Sequence, residues 1–303
     1  STAEATYRSI FKKANLDLLA GDANLKAIAQ RIQKSSLRDH WITALDDWAQ
    51  SADELPIHER ILKVARLADD DSTHNHFRDP QLLSDSQKLL NELNKTKAEK
   101  LTPSMWGVLC LRLQSRKINN QALLRKAQNA YPNDFWLNYL LANSLYGSSV
   151  AEAIGFYRAA LALRPDSFGV MLNLGSLLIQ SKKYDEALQI YRQAEKLEPR
   201  NPALLPNLGN CLLNMNLPQD AIRHLESALQ IKPKSVMTLT ELGLAWFREK
   251  DFEKTIDYSN RALKLNPKSS RARMNLVLVY YARQKDQKVI DLSLEILKDD
   301  PGN

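Results

Sequence analysis

The chain has 303 residues, enough for two domains of ~150 residues or one elongated array. Apolar residues make up 44% and charged residues 25%, with nine Gly, twelve Pro and two Cys, which excludes collagen-like, disordered and disulfide-dense classes. The net charge of +7 is carried by the last two thirds: residues 1–100 hold 15 basic and 16 acidic groups, residues 101–200 hold 12 and 7, and residues 201–303 hold 15 and 12. No Lys/Arg block of the kind that marks a nucleic-acid arm is present, so no nucleic-acid partner is expected. The longest apolar stretches, such as Leu276 to Ala282, fall far short of the ~20 residues of a membrane span, and no membrane partner is expected.

Residues 1–98 read as helices near 4–19, 23–34, 37–50, 55–68 and 80–94. Gly21-Asp22 and Ser35-Ser36 punctuate them, and one loop runs from Asp69 to Asp79. A compact helix pair follows. Thr102 and Pro103 are an N-cap and first-turn residue, and Gln121 to Ala130 forms the second helix.

From there the chain repeats. Prolines at 132, 165, 199, 233, 267 and 301 are spaced 33, 34, 34, 34 and 34 residues apart. One unit reads Leu174-Gly175, Ala187, Tyr191, Ala194, Pro199; the next reads Leu208-Gly209, Ala221, Leu225, Ala228, Pro233. The third has Leu242-Gly243 and Trp246, then Thr255, Ser259, Ala262 and Pro267. The first unit carries Leu141-Ala142 instead and is one residue short, in the Tyr146-to-Val150 turn; the last has Val277 and Val289 at the small positions. Each unit reads as two antiparallel helices, A and B. Gly inside helix A costs up to ~1 kcal/mol relative to Ala, so its recurrence predicts a tight helix contact. The expected domains are a helical segment over 1–100, a divergent pair over 101–132, and an array over 133–303 with units ending at Pro165, Pro199, Pro233, Pro267 and Pro301.

Candidate chemistry is sparse. Asp69-Asp70-Asp71 with His74 and His76 is the densest ligand cluster, but its spacing matches no closed structural metal site. It reads as a solvated loop with Phe77 tucked onto the core, and no metal or other cofactor is expected. Cys110 and Cys211, about a hundred residues apart in apolar contexts, read as buried thiols in a reducing, cytoplasmic setting. No Gly-rich phosphate loop, His-Arg-Asp loop or Asp-Phe-Gly segment occurs, so the chain by itself is not expected to be an enzyme.

The 34-residue pattern resembles the tetratricopeptide repeat (TPR). That resemblance implies an all-α fold, an α-solenoid whose hairpins coil into a right-handed superhelix with helices A on the concave side. It also implies binding of proteins or extended peptides there. The implied groove holds an amide row, Asn173, Asn207 and Asn275 with Asn143 and Asn210 beside it, and an apolar row, Ile179, Leu213, Phe247 and Tyr281. Trp136 and Tyr139 stand at its N-terminal end. An Asn carboxamide both donates to and accepts from a peptide backbone. The basic residues of a chaperone-tail clamp are missing, since position 5 reads Tyr139, Leu172, Pro206, Thr240 and Met274.

Other segments resemble the non-catalytic C-terminal region of the large TPR-bearing serine/threonine kinases of planctomycete bacteria. They are Ala44-Leu45-Asp46-Asp47-Trp48-Ala49, Arg60 to Arg66, Phe77-Arg78-Asp79-Pro80, Asp134 to Asn138 and Tyr157 to Ser167. That resemblance implies a fragment of a signalling protein with a kinase domain before residue 1, and a scaffold role recruiting partners to it. The alternative expectation is a self-associating structural array.

Overall fold

The computed structural model describes residues 2–20, 24–52 and 54–299. Among them are nineteen α-helices and no strand, so the fold is all-α. The expected Gly21-Asp22 linker and the terminal Pro301 lie outside the described residues. The chain divides into two compact units, residues 1–163 and 164–303.

The first unit holds α1 (Thr2–Lys13), α2 (Leu25–Gln33), α3 (Arg38–Ser51), α4 (Leu55–Ala68), α5 (Ser72–Phe77), α6 (Pro80–Ser84) and α7 (Ser86–Lys95). It continues with α8 (Pro103–Ser115), α9 (Gln121–Ala130), α10 (Phe135–Leu145) and α11 (Val150–Leu163). Three expectations need correction. The helix expected over 4–19 ends at Lys13, because Asn15 turns left-handed at φ 56° and the Leu16 N–H closes on the Phe11 carbonyl. The loop expected from Asp69 to Asp79 contains α5, started by the Asp71 carboxylate accepting from the Thr73 and His74 N–H groups. The helix expected over 80–94 is two helices. Asp85 is extended and caps α7 by accepting from the Gln87 and Lys88 N–H groups.

A buried ionic cluster ties these short helices to α3. Arg78, 2% exposed, donates from Nε and Nη2 to the two Asp46 oxygens at 2.7 Å each, and from Nη1 to Asp69 at 2.7 Å. His74 Nδ1 lies 2.9 Å from the same Asp69 carboxylate. Of the aspartates that stood out in the sequence, Asp69 thus holds a buried guanidinium together with Asp46 and is itself oriented by His74, whereas Asp70 pairs with Arg38 and Asp71 caps α5. Phe77 is buried beside it, as expected.

The second unit is four hairpins. Their A helices are α12 (Phe168–Gln180), α14 (Leu204–Asn214), α16 (Val236–Arg248) and α18 (Ser270–Ala282). Their B helices are α13 (Tyr184–Leu197), α15 (Pro218–Ile231), α17 (Phe252–Leu265) and α19 (Asp286–Asp299). Each A helix packs on its own B helix and on the next A helix, and each B helix on the A helix that follows it. The glycines sit where the tight contacts were expected. A Cβ on Gly175 would stand 2.3 Å from the Tyr191 ring, and one on Gly209 would stand 2.6 Å from Leu225. At Gly243 the neighbours are the Asn275 amide at 2.8 Å and the Ser259 hydroxyl at 3.0 Å.

The turns between A and B repeat too. Lys182, Asn216, Lys250 and Gln284 all take φ near +60°, at 34-residue intervals. The N–H of the next residue reaches back to the carbonyl five positions earlier, as from Lys183 to Leu178. These are Schellman closures with Lys, Asn or Gln in place of Gly. Ser235 and Ser269 cap α16 and α18 through their hydroxyls, and each stands 17 residues before the following B helix. In the first unit Asp134 caps α10 and stands 16 residues before α11. The missing residue falls in the Tyr146-to-Ser149 turn, where no residue takes positive φ.

Candidate functional site

In the second unit, α14, α16 and α18 place their exposed sides around a cleft of about 250 Å³. Asn210, Asn214, Glu241 and Arg271 supply its polar wall, and Leu213, Leu244, Met274 and Leu278 its apolar wall. The i, i+3, i+4 spacing of helix A puts Asn207, Asn210 and Asn214 on one strip of α14. Asn214 donates its amide to the Asn210 backbone carbonyl at 2.9 Å and to the Asn210 Oδ1 at 3.1 Å. Arg248 donates to the Leu213 carbonyl in the last turn of α14, which also accepts the Asn216 N–H at 2.9 Å.

A charge sits at the bottom of this cleft. The Glu241 side chain is buried, and Arg271 donates to it at 2.6 Å from an exposed position. Burial pushes the Glu241 carboxyl up, outweighing the neighbouring Arg271, Asn210 and Arg248 groups that pull it down. The cleft is therefore a buried carboxyl group paired with a solvent-facing guanidinium, flanked by amides and by leucines. It offers donors to carbonyl oxygens, acceptors to backbone N–H groups and an apolar surface for a side chain.

Among the residues singled out in the sequence, the cleft brings together Asn210, Leu213 and Asn275. Asn207 and Phe247 are half-buried on α14 and α16 outside the cleft, Asn173 and Ile179 are half-buried on α12, and Tyr281 on α18 is 73% exposed. The amide and apolar rows are not open throughout, since one residue of each is buried. Asn275 is 5% exposed, and its amide donates to the Thr240 carbonyl at 2.8 Å. Ser259 stands where Tyr191 and Leu225 fill the earlier units, and the Asn275 carboxamide occupies the space over Gly243. Leu213 is buried in the core of α14.

Trp136, Tyr139 and Asn143 belong to the first unit, on α10. Trp136 is exposed and meets Phe135 and Tyr139 edge-on, at centroid distances of 5.1 and 6.0 Å. The Tyr157 hydroxyl donates to the Asn143 carboxamide oxygen. Sequence reasoning left Glu241, Arg248 and Arg271 out of the site. The signal was present: Glu replaces Asn at position 6 of one unit, and the next unit carries the only basic residue at position 2.

Known proteins match this chain in pattern and fold. The tetratricopeptide repeat family model matches residues 149–194 and 178–238. No curated protein matches the sequence. Among solved structures, one of the APC/C hetero-tetramer Cut9-Hcn1 superposes with a TM-score of 0.56 at 20% identity, covering 95% of this chain and 62% of that chain. PilF of Pseudomonas aeruginosa superposes with a TM-score of 0.53 at 22% identity, covering 66% of this chain and 93% of that one. Residues 149–238 thus carry tetratricopeptide repeats, set in an all-helical, TPR-like solenoid fold.

Proposed function

We propose that this chain is a protein-interaction module that binds an extended polypeptide on the helix A face of its second unit. The observation that supports it most is the convergence of Asn210, Arg271 and the leucines of α14, α16 and α18 on one cleft. A peptide lying there and along the adjoining strip of α14 exchanges backbone hydrogen bonds with Asn210 in the cleft and Asn207 beside it, seats one apolar side chain against Leu244 and Leu278, and presents a carbonyl or carboxylate to Arg271. Asn173, Ile179, Phe247 and Tyr281 extend the same face along α12, α16 and α18. The module needs no cofactor and performs no chemistry of its own.

The test starts from a peptide selected on the intact chain by display. Asn207→Ala with Asn210→Ala should weaken it roughly ten-fold or more, since each neutral hydrogen bond contributes ~0.5–1.5 kcal/mol. Loss of Arg271 should do so separately, tested as Arg271→Ala in a Glu241→Gln background, because Arg271→Ala alone leaves the buried Glu241 carboxyl without its partner. Unchanged affinity in both variants would remove the cleft from consideration.

The division into 1–100, 101–132 and 133–303 belongs to this proposal, as does a reducing, cytoplasmic setting, which the two buried, unpaired cysteines favour. Among the described residues no helix is long and apolar enough to cross a membrane. Recruitment of the bound partner to a serine/threonine kinase domain is the finer form of the proposal. It rests on the resemblance of the short segments around Trp48, Arg78 and Trp136, and the parent gene decides it.

Self-association is the second reading, favoured by α19. Ile290, Leu294 and Leu297 form one exposed apolar stripe there. At the Leu294 position the earlier B helices carry Arg192, Glu226 and Asn260. Light scattering on the wild type and on Leu294→Glu separates a monomer from an assembly that this stripe holds together.

A further inference from the structure

We propose that the first unit carries a separate binding site for the dianionic phosphate group of a phosphate monoester, held by Arg112 and Arg116 of α8 with His58 of α4. The site is a cleft of about 360 Å³ between the C-terminal end of α3, the start of α4, α6 and the last turns of α8. It is independent of the peptide-binding face.

The argument rests on uncompensated charge. Arg112 and Arg116 lie four residues apart, so both guanidinium groups stand on one face of α8. Neither makes an ion pair among the described residues. Arg112 donates to the Leu83 carbonyl at 3.4 Å and approaches His58 Nε2 at 3.3 Å. Arg116 donates to the Ser84 carbonyl and the Ser86 hydroxyl, both at 2.9 Å. All four partners are neutral acceptors. The contrast lies in the same unit, where buried Arg78 is matched by two carboxylates.

His58 is oriented for the same task. Its Nδ1 donates to the Ala49 carbonyl at 2.7 Å, which turns Nε2 toward Arg112 and the cleft. Burial and the Arg112 charge hold the imidazole below its usual range, and burial with Arg116 lowers Arg112 in turn. Each group is thus poorer in negative charge than it would be beside an anion. Glu59, exposed on the cleft wall, makes an ion pair with neither arginine and acts on His58, whose pKa it raises; as Arg112 turns from His58 Nε2 to a bound dianion, that nitrogen takes up a proton and becomes the third donor.

Three donor groups from two helices suit the three terminal oxygens of a phosphate. A carboxylate has two oxygens, which one guanidinium fork already satisfies. Behind the mouth, the space among Leu62, Met105 and Leu109 is only about 30 Å³, so the body of a ligand does not enter. The site therefore reads the phosphate and leaves the rest in solvent. A small phosphate ester and a phosphorylated side chain of a polypeptide present the same group.

The experiment titrates the full chain at about pH 7, where a phosphate monoester is largely dianionic. The probes are inorganic phosphate, acetate, and a phosphoserine peptide with its unphosphorylated counterpart. Binding is read from the His58 ring resonances and from the melting temperature. Inorganic phosphate should shift His58 saturably and raise the melting temperature, and acetate should bind at least tenfold more weakly. Arg112→Gln should abolish the shift and Arg116→Gln should weaken it about tenfold or more, as loss of a charge-assisted hydrogen bond requires. Should Arg112→Gln not fold, the exposed Arg116→Gln carries the test alone. Tighter binding of the phosphoserine peptide than of inorganic phosphate assigns the polypeptide source; equal affinity assigns the free phosphate group. No saturable shift up to about 10 mM phosphate, equal binding of acetate, or full affinity in Arg116→Gln would overturn the site.

Discussion

Tyr191 lies across Gly175 and Leu225 across Gly209, so at these two positions a single methyl decides the helix contact. Gly175→Ala and Gly209→Ala gain up to ~1 kcal/mol of helix propensity but force a core side chain off its position, which costs ~1–3 kcal/mol. Both should be net destabilising. Gly243→Ala meets the movable ends of Asn275 and Ser259 and should cost less. Gly155 provides the control: it is exposed inside α11, and a Cβ there meets nothing within 4 Å. Gly155→Ala should stabilise by roughly 0.5–1 kcal/mol. Urea midpoints for the four variants check the order, and a stabilising Gly175→Ala would mean that the Tyr191 packing is wrong.

At the scale of the helix hairpin, the A-to-B turn closes on a left-handed residue that is not Gly. Lys182, Lys250 and Gln284 hold φ of 59°, 62° and 55° and bear the steric cost of a Cβ there. Lys250→Gly should therefore raise stability by up to ~1 kcal/mol. Asn216→Gly should change it less, because Asn tolerates this region. Melting temperatures of the two variants decide this; a lower value for Lys250→Gly refutes it. The same turns show what the sequence made legible. The 34-residue spacing, the small residues and the prolines revealed the hairpins, because each reports a contact repeated between like elements. The turn chemistry was hidden, since Lys and Gln are not turn formers. In residues 1–100 nothing repeats, and there the errors gathered: α5 went unseen, and the helix over 80–94 missed its break at Asp85. Asp71 and Asp85 act as caps; Asp71 ends a run of three aspartates and looks like a solvated charge, and Asp85 stands inside an apolar periodicity that reads as one helix. The site was legible as a face. It was not legible as a cleft, because the Glu241–Arg271 pair joins neighbouring repeats across 30 residues, and a pattern read one repeat at a time does not see it.

Across the whole molecule, the two units hide carboxylates whose responses to pH have opposite sign. In the first unit burial pushes Asp69 up, but hydrogen bonds from Arg78, the Asp71 N–H and His74 outweigh it, so its carboxyl lies below the usual range. A depressed native pKa contributes stability that is complete above the unfolded value of ~3.9 and is lost as pH falls through the native one. In the second unit burial holds Glu241 above its usual range. There the native state binds a proton that the unfolded chain has released, so the second unit gains stability as pH falls from neutral toward ~4.3. Hydrogen exchange read separately for α3–α5 and α14–α18 follows the two trends in one sample. Glu241→Gln should flatten the rise in the second unit, and should not lower its stability at neutral pH, because the exposed Arg271 loses little when its partner becomes neutral. Asp69→Asn should destabilise the first unit at neutral pH, where it leaves Arg78 with one carboxylate, and should remove part of its acid sensitivity. A parallel decline of protection in both units between pH 7 and ~4.5, unchanged by Glu241→Gln, would show that the Glu241 carboxyl is not buried as the cleft requires.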